Sequence, residues 1–199
     1  MARPQHNTDL HGNAPDTCAT ALLLIDVLND FSFKGGAALA TEALKIAGTL
    51  ASLKAAARAH RVPVIYVNDN AGKWRSDAAA VLRKALAPRS RGRSLARRLK
   101  PGPADYLILK PKQSAFYGTP LEILLDYLKV RRLVIAGLTA DICIFFTAQD
   151  AFVRDYDIVI PSDAVASQTR DSTTRALMDI ERLFEAKIDD AADIKWHSR

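Results

Sequence analysis

The stretch Leu133-Val-Ile-Ala-Gly-Leu-Thr-Ala-Asp-Ile-Cys143 decides the prediction of the fold. Its first four residues form a short apolar run rich in β-branched side chains, which is typical of a buried strand. Gly137 interrupts the run, Thr139 and Asp141 are residues that favour helix starts, and an apolar helical pattern follows. The stretch therefore predicts a strand, a break and a helix, with Cys143 in the first helical turn. Taken alone, a free cysteine there is more often a small buried hydrophobe than a nucleophile.

Four other short apolar runs also end in, or are followed by, polar residues. The runs 21–25, 63–67, 105–109 and 157–161 are separated from one another by amphipathic helical patterns. This alternation predicts an α/β fold, a Rossmann-like three-layer α/β/α arrangement with a mostly parallel sheet of about five to six strands. The carboxyl ends of parallel strands share one edge, so the polar or reactive residues that close or follow each strand should meet there. These residues are Asp26, Asp69, Lys110, Cys143 and Asp163.

The length of 199 residues and the hydrophobic content of 49% indicate one globular domain. We expect the domain at 18–190, between flexible tails at 1–17 and 191–199. No apolar run approaches the ~20 residues that span a bilayer, so no membrane partner is expected. The polar N-terminus lacks the apolar region of a secretory signal, which predicts a cytoplasmic protein with both cysteines reduced. The sequence has no Cys/His cluster, and we expect neither a metal nor another cofactor.

The net charge of +6 is concentrated between Arg83 and Lys100, where eight basic residues occur without an acidic one. Such a segment suits a solvated face, a contact with a subunit or an anionic substrate, or nucleic acid. It has no interleaved aromatic residues and no recognition motif surrounds it, so we predict no nucleic-acid partner.

An acid, an amine and a thiol on one rim can support nucleophilic catalysis. Cys143 would be the nucleophile, and the helix N-terminus and the Lys110 ammonium would lower the pKa of its thiol below the ordinary ~8.5. Asp26 would accept the thiol proton, and the backbone N–H groups of Thr139 and Cys143 would form an oxyanion hole. Each residue also has a simpler interpretation, because strand-end aspartates often serve turns and Lys110 could lie at the surface.

Four segments of the sequence occur in the order found in a known superfamily: Leu22-Leu-Leu-Ile-Asp-Val-Leu-Asn-Asp-Phe31, Lys110-Pro-Lys-Gln-Ser-Ala-Phe116, Gly137-Leu-Thr-Ala-Asp-Ile-Cys143 and Ser162-Asp-Ala164. Over roughly residues 19 to 170 the chain resembles the isochorismatase-like cysteine hydrolases, which include nicotinamidases, N-carbamoylsarcosine amidases, ureidoacrylate amidohydrolases and isochorismatases. The resemblance implies the fold predicted above and a catalytic triad of Asp26, Lys110 and Cys143. It also implies a cis peptide bond between Leu138 and Thr139 that turns N–H groups into the oxyanion hole.

Differences between this sequence and the patterns of the subfamilies narrow the range of reactions that we expect. Metal-binding nicotinamidases carry an Asp-x-His pair and further histidines after the second strand, whereas residues 68–77 contain no histidine. A nicotinamidase metal site is therefore not expected. Hydrolysis of a vinyl ether does not need a thiol, so Cys143 favours cleavage of a C–N bond. Four side chains are predicted to line the substrate pocket, each with a core or surface position as its alternative: Phe31, Trp74, Arg75 and Phe116.

These observations predict a cysteine-dependent hydrolase that cleaves the C–N bond of a small amide or carbamoyl compound through a thioester acyl-enzyme. We expect it to act as a homo-oligomer on a small-molecule substrate. One alternative is an isochorismatase-type hydrolase of an enol-pyruvyl ether. The other is a non-catalytic binding protein on the same fold, with the basic segment as its interface.

Overall fold

The computed structural model describes residues 17–196, in which seven strands form one sheet with every strand pair parallel. The strands are β1 (Thr20–Ile25), β2 (Val64–Asp69), β3 (Tyr106–Lys110), β4 (Arg132–Leu138), β5 (Asp157–Pro161), β6 (Val165–Ala166) and β7 (Lys187–Asp189). Their order in the sheet is β3-β2-β1-β4-β5-β7, with β6 paired to β4. This confirms the predicted α/β class. The two short strands β6 and β7 bring the count above the predicted five to six.

Helices cover both faces of the sheet. They are α1 (Gly36–Ala59), α2 (Ala78–Leu86), α3 (Arg93–Arg98), α4 (Leu121–Leu128), α5 (Phe145–Phe152) and α6 (Arg170–Phe184). Apolar residues of α1, α2 and α3 pack in one core, and those of α4, α5 and α6 pack in a second. Among the helices within residues 17–196, none combines the length and the apolar character that a bilayer crossing requires.

The central strand β1 contains a continuous apolar run because both of its faces are covered by helices. Successive side chains of a strand point to opposite faces, so a strand between two helical layers must be apolar at every position. Leu22 and Leu24 belong to the core with α1, whereas Leu23 and Ile25 belong to the core with α4, α5 and α6. All four side chains are fully buried.

The break at Gly137 has a steric cause. A Cβ atom at this position would lie 2.2 Å from the carbonyl oxygen of Ile25 on the adjacent strand. The φ angle of Gly137 is +117°, a value that residues with a side chain rarely adopt. Glycine therefore lets β4 approach β1 closely at the end of the sheet where the polar residues gather. After Thr139 the chain makes a π-helical turn, Ala140–Ile144, that leads into α5.

The ends of the domain differ from the predicted tails. The N-terminal tail predicted at 1–17 lies outside the described residues except for Thr17, and residues 197–199 lie outside them too. Residues 191–196 pack on the domain, which corrects the predicted C-terminal tail. Arg132 donates a hydrogen bond to the Lys195 carbonyl at 2.9 Å, Ile194 is buried, and the Trp196 ring stacks on His60. Three apolar side chains of this segment, Ala191, Ile194 and Trp196, pack against the core that contains α1.

We predict that Gly137→Ala lowers the free energy of unfolding by at least about 3 kcal/mol, because the new methyl group meets backbone that cannot move aside cheaply. Urea denaturation followed by circular dichroism measures the change. The matched control is Gly48→Ala on α1, where the nearest atom to a new Cβ is 3.7 Å away. An alanine in a helix should leave stability unchanged or raise it slightly. Equal unfolding midpoints for the two variants would contradict the proposed role of Gly137.

Candidate active site

Asp26, Lys110 and Cys143 meet at the carboxyl edge of the sheet. The Lys110 ammonium nitrogen lies 2.9 Å from an Asp26 carboxylate oxygen and 3.4 Å from the Cys143 sulfur. The Cys143 thiol also hydrogen-bonds Asp26. Three residues that are distant in sequence thus form one cluster of acid, amine and thiol. The folding of the sheet brings them together, because each closes or follows a different strand.

The strand ends hold Asp26 in place. Its backbone has φ +53°, the left-handed region, and its N–H donates to the Val67 carbonyl of β2 at 3.0 Å. The Asp69 N–H donates to the Asp26 carboxylate at 2.6 Å. Asp69 and Lys110 are paired residues of β2 and β3. The Asp26 carboxylate therefore reaches across the end of β2 and meets a lysine that lies two strands away.

Lys110 is a core residue with no exposed surface, which excludes the surface interpretation of this lysine. Its ammonium has three acceptors in reach: the Asp26 carboxylate, the Cys143 sulfur and the Lys112 carbonyl at 3.1 Å. Burial opposes the charge, but the neighbouring Asp26 and Cys143 together raise the pKa of Lys110 above its ordinary value. The amine therefore stays protonated and supplies a fixed positive charge to the site.

The pKa of the Cys143 thiol is shifted in the direction opposite to the prediction. Burial, followed by the Asp26 carboxylate, raises its pKa to about 12, and Lys110 only partly offsets this. Burial likewise raises the pKa of Asp26 above its ordinary 3.8, although Lys110 and the hydrogen bonds from Cys143 and Asp69 oppose the rise. The expectation of a lowered thiol pKa is corrected: the resting sulfur is a thiol, beside a carboxylate that is more basic than usual. The reason is that desolvation of the site outweighs the attraction of one ammonium.

Hydrogen bonds hold the turn that carries Cys143 in place from two sides. The peptide bond between Leu138 and Thr139 is cis, as the resemblance implied, and the Thr139 carbonyl accepts hydrogen bonds from Ile142 and Ile144. The Cys143 carbonyl accepts a 2.6 Å hydrogen bond from the Thr147 hydroxyl, which in turn accepts from the Ala115 N–H. The segment after Lys110 is thereby tied to the helix that follows Cys143.

Two further hydrogen bonds hold the other side of this turn. The hydroxyl of the buried Ser167 donates to the Asp141 carboxylate at 2.7 Å and accepts from the Asp141 N–H at 3.2 Å. These bonds join the turn to the segment after β6. The backbone amides that surround Cys143 are thus held by contacts from two directions.

A cavity of about 650 Å³ opens above the three residues. Its size falls within the range of small-molecule sites. Its wall is part apolar and part polar, with side chains from segments that follow β1 and β2, from α2 and from the end of β4. The residues not predicted from the sequence include Leu28, Phe33, Leu39, Asn68, Lys73, Ile142 and Gln168.

Asn68 is a positioning residue that the sequence reasoning did not single out. Its buried amide accepts from the Leu28 N–H at 3.3 Å and donates to the Leu28 carbonyl at 2.9 Å. It therefore fixes the loop that follows Asp26. The polar run that ends β2 was the available signal, whereas no sequence signal pointed to Gln168 or Phe33.

The predicted substrate-binding residues do not line this cavity as the structure describes it. Phe31 is fully buried in the core beneath α1, and Phe116 is buried in the second core, where the Arg154 guanidinium lies 4.9 Å from its ring. Trp74 is 83% exposed, and Arg75 is also exposed. These positions correct the prediction. Phe33 occupies the wall in place of Phe31, because the chain turns left-handed at Phe31 and buries that ring.

No cluster of three or more histidine, cysteine, aspartate or glutamate side chains within residues 17–196 is placed to hold a metal ion. Asp163, predicted on the same rim, instead accepts a hydrogen bond from the Ala191 N–H at 2.8 Å and is exposed. The rim therefore contributes Asp26, Lys110 and Cys143 to the cluster, with the Asp69 backbone as its support.

Comparisons with known proteins identify the family of this chain. The model of the isochorismatase domain matches residues 20–192. The uncharacterized isochorismatase family protein YaaI of Bacillus subtilis is 40% identical over 168 residues, which cover 84% of this chain and 92% of that protein. The ureidoacrylate amidohydrolase RutB of Methylobacterium radiotolerans is 32% identical, covering 86% of this chain and 76% of its own.

A solved structure is similar over the same region. The N-carbamoylsarcosine amidase of Thermoplasma acidophilum superposes with a TM-score of 0.68 at 28% identity, covering 88% of this chain and 98% of that one. The domain match spans nearly all of the described residues, and the sequence relatives cover most of their own length. The chain therefore belongs to the isochorismatase family and is a hydrolase.

Proposed function

We propose that this hydrolase cleaves the C–N bond of a small amide or carbamoyl compound, with Cys143 as nucleophile and a thioester as intermediate. The observation that carries the proposal is the contact of the Cys143 thiol with both Asp26 and Lys110 beside a cavity of about 650 Å³. A thiol with an adjacent base, itself held by a third group, is the arrangement that activates a nucleophile.

The first half of the reaction forms the acyl-enzyme. Asp26 accepts the thiol proton as the sulfur attacks the substrate carbonyl carbon. The carbonyl oxygen becomes an oxyanion that accepts hydrogen bonds from the N–H groups of Thr139 and Cys143. The carbon–nitrogen bond then breaks, and Asp26 returns the proton to the leaving nitrogen, which departs as ammonia or an amine.

The second half restores the enzyme. A water molecule attacks the thioester carbonyl while Asp26 accepts a proton from it. The carbon–sulfur bond breaks, and the sulfur regains a proton as the acid or carbamate leaves. Lys110 stays protonated throughout and stabilises whichever of Asp26 and Cys143 is negatively charged. The two charge distributions, carboxylate with thiol and carboxylic acid with thiolate, have the same net charge, so the proton moves without adding charge to a buried site.

The names of relatives support the substrate class. One sequence relative is a ureidoacrylate amidohydrolase and one structural relative is an N-carbamoylsarcosine amidase. Both names describe hydrolysis at a nitrogen-bearing carbonyl group, which is the chemistry that a cysteine nucleophile serves. A substrate of this class for the present chain would enter a cavity with apolar walls and several polar groups, as small-molecule sites commonly have.

We predict that Cys143→Ala lowers kcat for ammonia release by at least about 10³-fold, because no other group can form the thioester. A panel of N-carbamoyl and ureido compounds supplies the substrates, and intact-protein mass spectrometry detects the acyl adduct on the wild-type enzyme. The control is Cys18→Ala, which removes the other described cysteine from a buried position away from the cavity. That variant should keep its kcat and its adduct. Wild-type turnover by Cys143→Ala, or pyruvate release from an enol ether without the thiol, would contradict the proposal.

The pH dependence of kcat/KM should show an acidic limb. Asp26 works as a base only when ionised, and its pKa is raised by burial, so activity falls as the pH drops through a midpoint above 3.8. Lys110→Met removes the ammonium that lowers this pKa. We therefore predict that its acidic limb moves to higher pH, together with a lower maximum rate.

A matched control separates this effect from loss of stability. Lys54 is also a buried lysine, and its ammonium lies 3.1 Å from the Asp105 carboxylate, outside the residues that line the cavity. Lys54→Met should weaken the fold while leaving the midpoint of the acidic limb in place. The same midpoint in wild type and Lys110→Met would count against Asp26 as the base that Lys110 controls.

A further inference from the structure

A second polar pocket lies on the opposite side of the loop that follows β1. Its volume is about 590 Å³, and all of its lining residues belong to one short segment: Ser90, Arg91, Arg93, Ser94, Arg97 and Arg98. None of these residues lines the cavity above Cys143. Four arginines and two serines thus line one shallow, open depression that the proposed reaction does not use.

The positive charge of this pocket is not neutralised within the described chain. No acidic residue occurs between Asp77 and Asp105. Among residues 17–196, none of the four arginines forms an ion pair. The Nε of Arg93 is buried without a hydrogen-bond partner in the described structure. Such an unsatisfied buried donor costs free energy in the unliganded protein.

The frame of the pocket is rigid. Leu95, Ala96 and Leu99 are fully buried on the inner side of α3, whereas Arg97 and Arg98 are exposed on its outer side. Gly92 packs so closely against the Asn29 carbonyl that a Cβ atom there would lie 1.8 Å from its oxygen. Arg91 donates to the Phe31 carbonyl at 3.0 Å. The backbone that carries the arginines is therefore ordered before a ligand binds, which lowers the conformational cost of binding.

The chemistry of the lining residues selects phosphate. The arginine guanidinium is planar and presents pairs of N–H donors that match two oxygens of a phosphate group. The Ser90 Oγ accepts from the Gly92 N–H, so its own hydrogen is left to donate. The pocket has no aromatic side chain on which a base could stack, and single-stranded nucleic acid is held largely by such stacking.

We propose that this arginine pocket, defined by Ser90, Arg91, Arg93, Ser94, Arg97 and Arg98, is a binding site for a small phosphate-bearing molecule, separate from the catalytic cavity. The four guanidinium charges exceed the charge of about −2 that one phosphate group carries, so we expect a ligand with at least two neighbouring anionic groups. The Arg91 and Gly92 contacts place this pocket beside the segment 29–31, of which Asn29 and Asp30 line the substrate cavity.

Isothermal titration calorimetry with sodium tripolyphosphate tests the proposal on the full-length protein at about 0.15 M salt, where loose surface attraction is largely screened. The pocket variant is Arg97→Gln with Arg98→Gln, and the control is Arg83→Gln with Arg89→Gln. All four positions are exposed and the two pairs remove the same charge from the same segment. The pocket pair should weaken binding by at least about tenfold per arginine, and the control pair by less than about threefold. Arg93→Gln, checked for its fold by circular dichroism, should weaken binding as well.

Three results would overturn the proposal. One is the absence of tripolyphosphate binding to the wild-type protein. Another is an equal loss of affinity in the pocket and control pairs, which would mean that the whole basic segment attracts anions without a defined site. The third is tight binding of a short oligouridylate that tripolyphosphate does not displace, which would identify a nucleic-acid surface. Because the pocket lies outside the catalytic cavity, failure here leaves the proposed amidase function untouched, and a failed Cys143→Ala test leaves the phosphate site standing.

Discussion

A buried lysine sets the central constraint on this molecule. Lys110 has no exposed surface, and an unpaired ammonium in such a place would be strongly unfavourable, since breaking a buried ion pair costs roughly 3–5 kcal/mol. The carboxylate that pairs with it belongs to Asp26, two strands away. The pairing is possible only if β1, β2 and β3 lie in the observed register, with the Asp69 N–H holding the carboxylate from the strand between them. Fold and site therefore depend on the same contact.

The same burial determines the protonation of Cys143, the nucleophile of the proposed reaction. Desolvation raises the pKa of the Cys143 thiol to about 12 and also raises the pKa of Asp26. A resting thiol is less open to oxidation than a thiolate, because the thiolate is the reactive form. In the proposed reaction the proton moves to Asp26 only as the sulfur attacks, and the fixed charge of Lys110 makes the exchange electrically neutral. Reactivity is then tied to the presence of a substrate carbonyl.

The loop after β1 separates two regions of different chemistry. Asn29 and Asp30 face the substrate cavity, while the Asn29 and Phe31 carbonyls meet Gly92 and Arg91 on the other side. Lys84 reaches this loop from α2, with its ammonium 3.2 Å from Asp30. The basic segment, which composition alone left as a solvated face, a contact surface or a nucleic-acid site, thus partly supports the loop that borders the cavity. Four of its arginines, Arg91, Arg93, Arg97 and Arg98, line the pocket to which we assign a phosphate-bearing ligand.

Much of the arrangement around Asp26, Lys110 and Cys143 could be predicted from the sequence, because it follows from local patterns. Continuous apolar runs identify strands buried on both faces, the polar residues that close or follow them must share one edge of a parallel sheet, and Gly137 marks the close approach of two strands. The location of the pocket walls could not be predicted in this way. Phe31 and Phe33 are two residues apart and chemically identical, yet only Phe33 lines the cavity.

The sequence by itself determined the α/β class, the parallel sheet, and the set of residues from which Asp26, Lys110 and Cys143 are drawn, since strand periodicity and strand ends are local properties. The tertiary structure decided what depends on burial. Burial raises the pKa of the Cys143 thiol, which the sequence predicted to be lowered. Phe31 and Phe116 lie in the two cores, and residues 191–196 pack on the domain. Solvent exposure is a property of the assembled chain, because the neighbours that exclude water come from segments far apart in the sequence.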